Sequence, residues 1–226
     1  MGRNADLWSQ IIALTITYGT AFAHGIVLVD EAALRDLEAA LGTAERSADD
    51  LALGFTLFTY GGVLVHGDPA EIERGLKLLR RSREMAVGDR FYRCHIPAID
   101  VLIGHGIARL GDREAALPVL RSANDDLFDG GQFGHCMTST RFLVQELLVR
   151  GTEADVREAD AAIERLAAVQ VLDGLAIQEI TLLGLRALLE RATGDQVAYR
   201  QLADRYLEMA ESLGFEGHVA TAKAMP

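Results

Sequence analysis

The nonapeptide TYGTAFAHG at 17–25 returns as TYGGVLVHG at 59–67, with Thr, Tyr, Gly, His and Gly in the same places 42 residues apart. Five matches in nine at a fixed offset exceed what chance supplies, and a period of this size marks a chain built from stacked supersecondary units. The closing glycine extends the series to Gly25, Gly67, Gly111, Gly151 and Gly194, at intervals of 42, 44, 40 and 43. An apolar segment precedes each marker and a more charged segment follows it.

Each unit has the grammar of a helical hairpin. Glycine ends a helix by taking the left-handed conformation that a side chain disfavours. Asp68, Asp112 and Asp195 follow their markers directly and are placed to accept from the free N–H groups of the next helix. Pro69 and Glu71 suit a first helical turn, and Thr152 with Asp155 approximates a capping box. The second helices have one apolar stripe, as in Leu34, Leu37 and Leu41, in Leu117, Leu120 and Leu127, and in Leu202, Tyr206, Met209 and Leu213. The first helices, such as LALGFTLFTYGGVLV at 51–65, are apolar on more than one side and need neighbours on both. Gly61, Gly62, Gly104, Gly106 and Gly184 lower helix propensity there, for which close helix approach compensates.

The expectation is an all-α chain, a tetratricopeptide-like α-solenoid of about five hairpins, with a short closing helix after Gly214. The interval exceeds the 34 residues of standard tetratricopeptide units and lies near the HEAT range, but the tight turn inside each unit favours the former. No linker or composition break divides residues 1–226, so a single domain is expected.

Composition removes several classes of function. Half the 226 residues are apolar and 24% are charged, with a formal charge of −11, which repels nucleic-acid phosphates. Cys94 and Cys136 are too few for a disulfide framework and suit a reduced, cytoplasmic setting. Residues 7–29 contain no Asp, Glu, Lys or Arg and approach the length of a membrane span. Polar Ser9, Gln10, Thr15, Thr17 and Thr20 oppose that assignment, and the repeat accounts for the run as the first helix of the series. No membrane segment is expected.

Three groups of residues are candidates for a site. One face of the first helices carries Thr17, Thr56, Thr59, Asp100, Thr140 and Arg186, beside Leu14, Ile103, Leu143 and Leu183. This row is either a partner groove on the concave surface or a packing face whose threonines bond to their own backbone. Arg74, Lys77, Arg80, Arg81, Arg83, Arg90 and Arg93 form a basic island opposed by Glu84 and Asp89, with Phe91 and Tyr92 alone to interleave. It is a solvated helix face or a surface for an acidic partner. Cys94, His95, His135 and Cys136 begin successive first helices and supply zinc-binding atoms. Adjacent helical residues diverge by about 100°, however, which opposes one ion reached by all four. Buried cysteines and hydrogen-bonded histidines are the alternative. His24 and His66 precede marker glycines, where an imidazole can cap the last carbonyls. There is no phosphate loop, dinucleotide fingerprint, zinc-protease motif or nucleophile elbow, so no catalytic residue and no cofactor are assigned.

The tail YRQLADRYLEMAESLGFEGHVATAKAMP at 199–226, above all SLGFEGH, and hairpins such as RLGDREAALPVLRSANDDLFDGGQ carry a resemblance. They resemble the C-terminal helical region of actinobacterial, chiefly mycobacterial, signalling proteins that also carry a class III adenylyl cyclase domain and a P-loop ATPase module. The resemblance implies a regulatory or interaction module without catalysis of its own, whose partner is a protein or another domain of the parent. The cyclase and ATP-binding residues of that family have no counterpart here. A small-ligand sensor binding within the superhelix and a metal-dependent enzyme built on the Cys/His set remain as alternatives. The first helix, Leu7 to Val29, is expected to expose Trp8, Ile11, Ile12 and Phe22 and to drive dimerisation.

Overall fold

The computed structural model describes residues 2–88, 93–169 and 174–225, with side chains from Leu7 onward. Eleven α-helices and no strand occur among them. They are α1 (Gly2–Leu14), α2 (Glu31–Ser47), α3 (Asp50–Leu64), α4 (Pro69–Gly88), α5 (Ile96–Arg109), α6 (Arg113–Asp129), α7 (Phe133–Arg150), α8 (Glu153–Ala167), α9 (Ala176–Thr193), α10 (Gln196–Leu213) and α11 (Glu216–Ala224). The helices pack consecutively, and α3, α5, α7 and α9 also touch one another in sequence. Among the described residues the chain is all-helical, with successive helices packed on one another. No described helix is long and apolar enough to cross a membrane.

The turn chemistry explains the hairpins. Asp112 Oδ1 accepts from Ala115 N at 3.1 Å, and Asp195 Oδ1 accepts from Val197 N and Ala198 N. Asp68 and Glu71 exchange reciprocal bonds of 2.9 Å, and Thr152 with Asp155 closes a full capping box. Asp30, five residues after Gly25, and Asp49 cap α2 and α3 in the same way. Gly25, Gly111, Gly151 and Gly194 take positive φ. Gly67 does not. It is needed for space, because a Cβ there would lie 2.0 Å from the Glu71 carboxylate that folds back onto Asp68.

Two further expectations are corrected at the N-terminus. The first helix does not run on as α-helix to its marker: α1 gives way to a π-helical stretch, Thr15–Ala21, and then to a turn. Thr15 and Thr59 hydroxyls meet at 3.1 Å along this stretch, and Gly19 backs onto Thr59. Of the four side chains expected on the surface, Ile12 alone is exposed. Ile11 is 2% exposed, Trp8 donates its indole N–H to Asp49 at 3.0 Å, and Phe22 packs edge-on against the His66 ring.

The main apolar cluster runs from Phe58 of α3 to Leu185 of α9, with Leu79, Ile99, Leu117, Leu120, Leu147 and Ile163 fully buried, and smaller clusters flank it at either end. The helical glycines permit this packing. A Cβ on Gly61 would sit 2.9 Å from Leu79, on Gly104 2.8 Å from Leu120, and on Gly106 2.9 Å from Leu76. Outside the clusters, ion pairs join second helices about one repeat apart. Arg74 pairs with Glu38, Arg81 with Glu45, Arg121 with Glu158, and Arg165 with Asp125.

The turn after the first helix meets the start of α11. His218 N donates to Gly25 O at 2.9 Å, Glu216 N to Ile26 O at 3.0 Å, and Leu28 N to the Glu216 carboxylate at 3.1 Å. The turn after the first helix is thus clamped on α11, and it also reaches α7 of the fourth hairpin.

Candidate functional site

All six histidines of the chain belong to the region where that turn meets the first helices, and two arginines join them. Each imidazole is held below its ordinary pKa by burial, His24 and His218 to about 4 and His66 to about 3. The charges of Arg141 and, for His66, Arg109 add to the effect. The rings are neutral at pH 7.

Arg141 occupies the middle of this cluster. It arrives on α7 within the segment MTSTRFLV, one helical turn from Thr138 and on the same face. Its Nη2 donates to the Ala23 carbonyl at 2.7 Å, and Thr138 Oγ1 shares that carbonyl at 3.3 Å while lying 3.4 Å from His24 Nδ1. The guanidinium also stands 4.9 Å from the Phe142 ring centre. Phe142 stacks on His105 at 3.8 Å with the planes 8° apart, and His66 leans on both. Burial pushes the arginine pKa down, and no carboxylate is among the groups that act on it. Tyr206 Oη and His218 Nδ1 lie 2.7 Å apart, and burial holds the phenol proton up to about 12.

Native interiors satisfy nearly all their buried polar atoms. Here four buried side-chain atoms lack a hydrogen-bond partner among the described residues, and all four are in this cluster: both ring nitrogens of His105, Arg141 Nε and His218 Nε2. A cavity of about 160 Å³ is walled by Thr20, Ala23, His24, Phe58, His135 and Thr138, and Ala23, which accepts from Arg141, and Thr138 separate it from the guanidinium.

The residues singled out in the sequence are distributed differently. Thr56, Thr59 and Thr140 are buried, bonded to Ala52 O, to Thr15 and to Asn124, and behave as a packing face. Thr17 accepts from Phe22 N through its carbonyl, at the start of the turn. Asp100 is engaged by Arg83 at 2.6 and 3.0 Å, and Arg186 is an exposed partner of Glu164. They do not line one open face.

The basic island is largely neutralised, since Arg74, Arg81 and Arg83 all hold carboxylates. Lys77 and Arg80 are exposed, and Arg93 donates to Val87 O. Asp89, Arg90, Phe91 and Tyr92 lie outside the described residues.

The Cys/His set does not assemble. Cys94 is exposed with its sulfur 3.3 Å from His95 Nδ1, while Cys136 is buried, with its thiol pushed up to about 11. No group of three metal-ligating residues occurs among the described residues. His24 and His66 do not cap their helices; the first faces Thr138 and the second the aromatic stack. Arg141, His105 and His218 were not anticipated. The available signal was one arginine inside an otherwise uncharged stretch of first helix.

No protein-family model matches this chain, and no curated protein matches it.

Proposed function

We propose that the chain is a tetratricopeptide-like helical-repeat module, one domain over 1–226, that works by holding a protein partner or a neighbouring domain and performs no catalysis itself. Consecutive hairpins, contacts between successive first helices, and Arg–acid pairs set about one repeat apart support the repeat reading. The resemblance to the helical region of cyclase–ATPase regulators supports a regulatory setting in the cytoplasm.

The observation that carries the interaction reading is the outer face of α1 and the π-helical stretch after it. Ile12 and Ile16, one turn apart, are 52% and 61% exposed, and Ser9, Gln10, Ala13 and Thr20 around them carry no charge. The end of a helical stack needs a polar outer face or a covering neighbour. Among the described residues this face is uncharged and presents Ile12 and Ile16 to solvent, so we propose that a second copy or an adjoining domain covers it. Light scattering across the micromolar range tests the first occupant. The wild-type chain is expected to dimerise, and the Ile12→Glu, Ile16→Glu double variant to be monomeric with unchanged helicity. A wild-type monomer at high micromolar concentration would remove self-association through α1.

The small-ligand reading is favoured by a separate observation, the unsatisfied cationic interior around Arg141.

A further inference from the structure

Most of the partly buried arginines of this acidic chain hold carboxylates, as Arg83, Arg113, Arg121 and Arg165 do, whereas Arg109 donates to the Val65 carbonyl. Arg141 holds no carboxylate among the described residues either. Its Nε is shut off from solvent without a partner, and its Nη2 is satisfied by a main-chain carbonyl. A guanidinium taken out of water is costly unless paired, and its fork of N–H donors matches a carboxylate or a phosphate. The histidines around it are neutral, so they leave its charge uncompensated while offering ring N–H groups as further donors. Arg109, which acts on His66 and His105, adds a second positive charge on one flank. A carbonyl oxygen is a weak stand-in for an anion, and Ala23 belongs both to the arginine's bond and to the cavity wall.

We propose that this interior is a binding site for a small organic anion, its carboxylate or phosphate seated on Arg141 in place of the Ala23 carbonyl and its body in the cavity beside His24 and His135. Arg141 supplies charge and orientation, Thr138 a hydroxyl, and His105 and His218 the buried ring nitrogens now without partners. The exchange lifts the turn that carries Ala23. The Gly25 and Ile26 carbonyls of that turn accept from the His218 and Glu216 amides of α11, so occupancy of the site is coupled to the contact between the first turn and α11. The proposal is independent of what covers α1.

The test is a titration of the full chain, separately with succinate and with inorganic phosphate, followed by calorimetry and by the arginine Nε–Hε and backbone amide resonances. The expected result is saturable, single-site binding by at least one probe, with shifts in Arg141 Nε–Hε and in the amides of Ala23 to Gly25. Saturation by succinate alone, by phosphate alone or by both identifies which anion the site takes. Arg141→Lys keeps the charge but loses the fork and is expected to weaken binding by about tenfold. Arg165→Lys, on a surface ion pair, is expected to leave it unchanged. If Arg141→Lys fails to fold, the wild-type resonances decide. No saturable shift at Arg141 by either probe up to about 10 mM, where binding would be too weak to use, overturns the proposal. Equal affinity in a folded Arg141→Lys chain overturns it as well.

Discussion

His218 donates its backbone N–H to the carbonyl of Gly25 at 2.9 Å, joining the first turn of the chain to its last helix. The neighbouring Gly217 is the reason the two backbones can approach. A Cβ at that position would stand 2.8 Å from the Gly25 oxygen and 2.9 Å from its Cα.

Gly217→Ala is therefore expected to destabilise the protein, since a backbone cannot step aside as a flexible side chain can. The cost is expected at about 1–3 kcal/mol, the range for overpacked contacts. Hydrogen exchange should show the Glu216 and His218 amides losing protection. An unchanged melting temperature with those amides still protected would mean that the crossing tolerates a methyl group.

Two helical glycines should respond to alanine with opposite signs. Gly134, in the first turn of α7, has open space where its Cβ would be, so Gly134→Ala is expected to gain about 0.5–1 kcal/mol from helix propensity. Gly75 has Gly61 O at 2.9 Å and Val65 N at 3.0 Å in that position. There the clash outweighs the propensity gain, and Gly75→Ala is expected to lose stability. Urea denaturation of both variants decides, and a stabilised Gly75→Ala would refute the close packing of α3 on α4.

Asp112→Ala removes the acceptor for Ala115 N at the start of α6. The expected loss is about 0.5–2 kcal/mol, typical of an N-cap. Equilibrium unfolding with no change beyond error would show that water replaces the carboxylate at no cost.

The buried histidines set a pH dependence. An unfolded histidine takes its proton near pH 6.5, whereas His24 and His218 resist until about 4 and His66 until about 3. Between these limits the unfolded chain binds more protons. Stability is accordingly full above pH 6.5 and is lost as pH falls toward 4, by an amount on the order of a few kcal/mol. Denaturation midpoints at pH 7.5, 6 and 5 test this. A flat profile across that window would show that the imidazoles are hydrated.

The hairpins were legible in the sequence because their causes are local. An aspartate reaches an N–H three residues on, as Asp112 does to Ala115, and a left-handed turn needs glycine whatever lies across from it. Leu117, Leu120 and Leu127 declare a buried stripe by spacing alone, and all three are fully buried. Even here one local rule misled, because Gly67 answers to the Glu71 side chain and not to its own φ.

What only the tertiary structure decided is where the row of hairpins bends and what it encloses. Thr56, Thr59 and Thr140 have the spacing of a groove, yet contacts with Ala52, Thr15 and Asn124 turn them into packing residues. The surroundings of Arg141 come from Ala23, His66, His105, Tyr206 and His218, which lie on five different segments of the chain. Their meeting depends on how neighbouring helices are set against one another, which close approaches such as Gly61 on Gly75 fix. Such contacts between distant segments leave no periodic trace in the sequence, whereas caps and stripes do, because these act within one or two turns of a single helix.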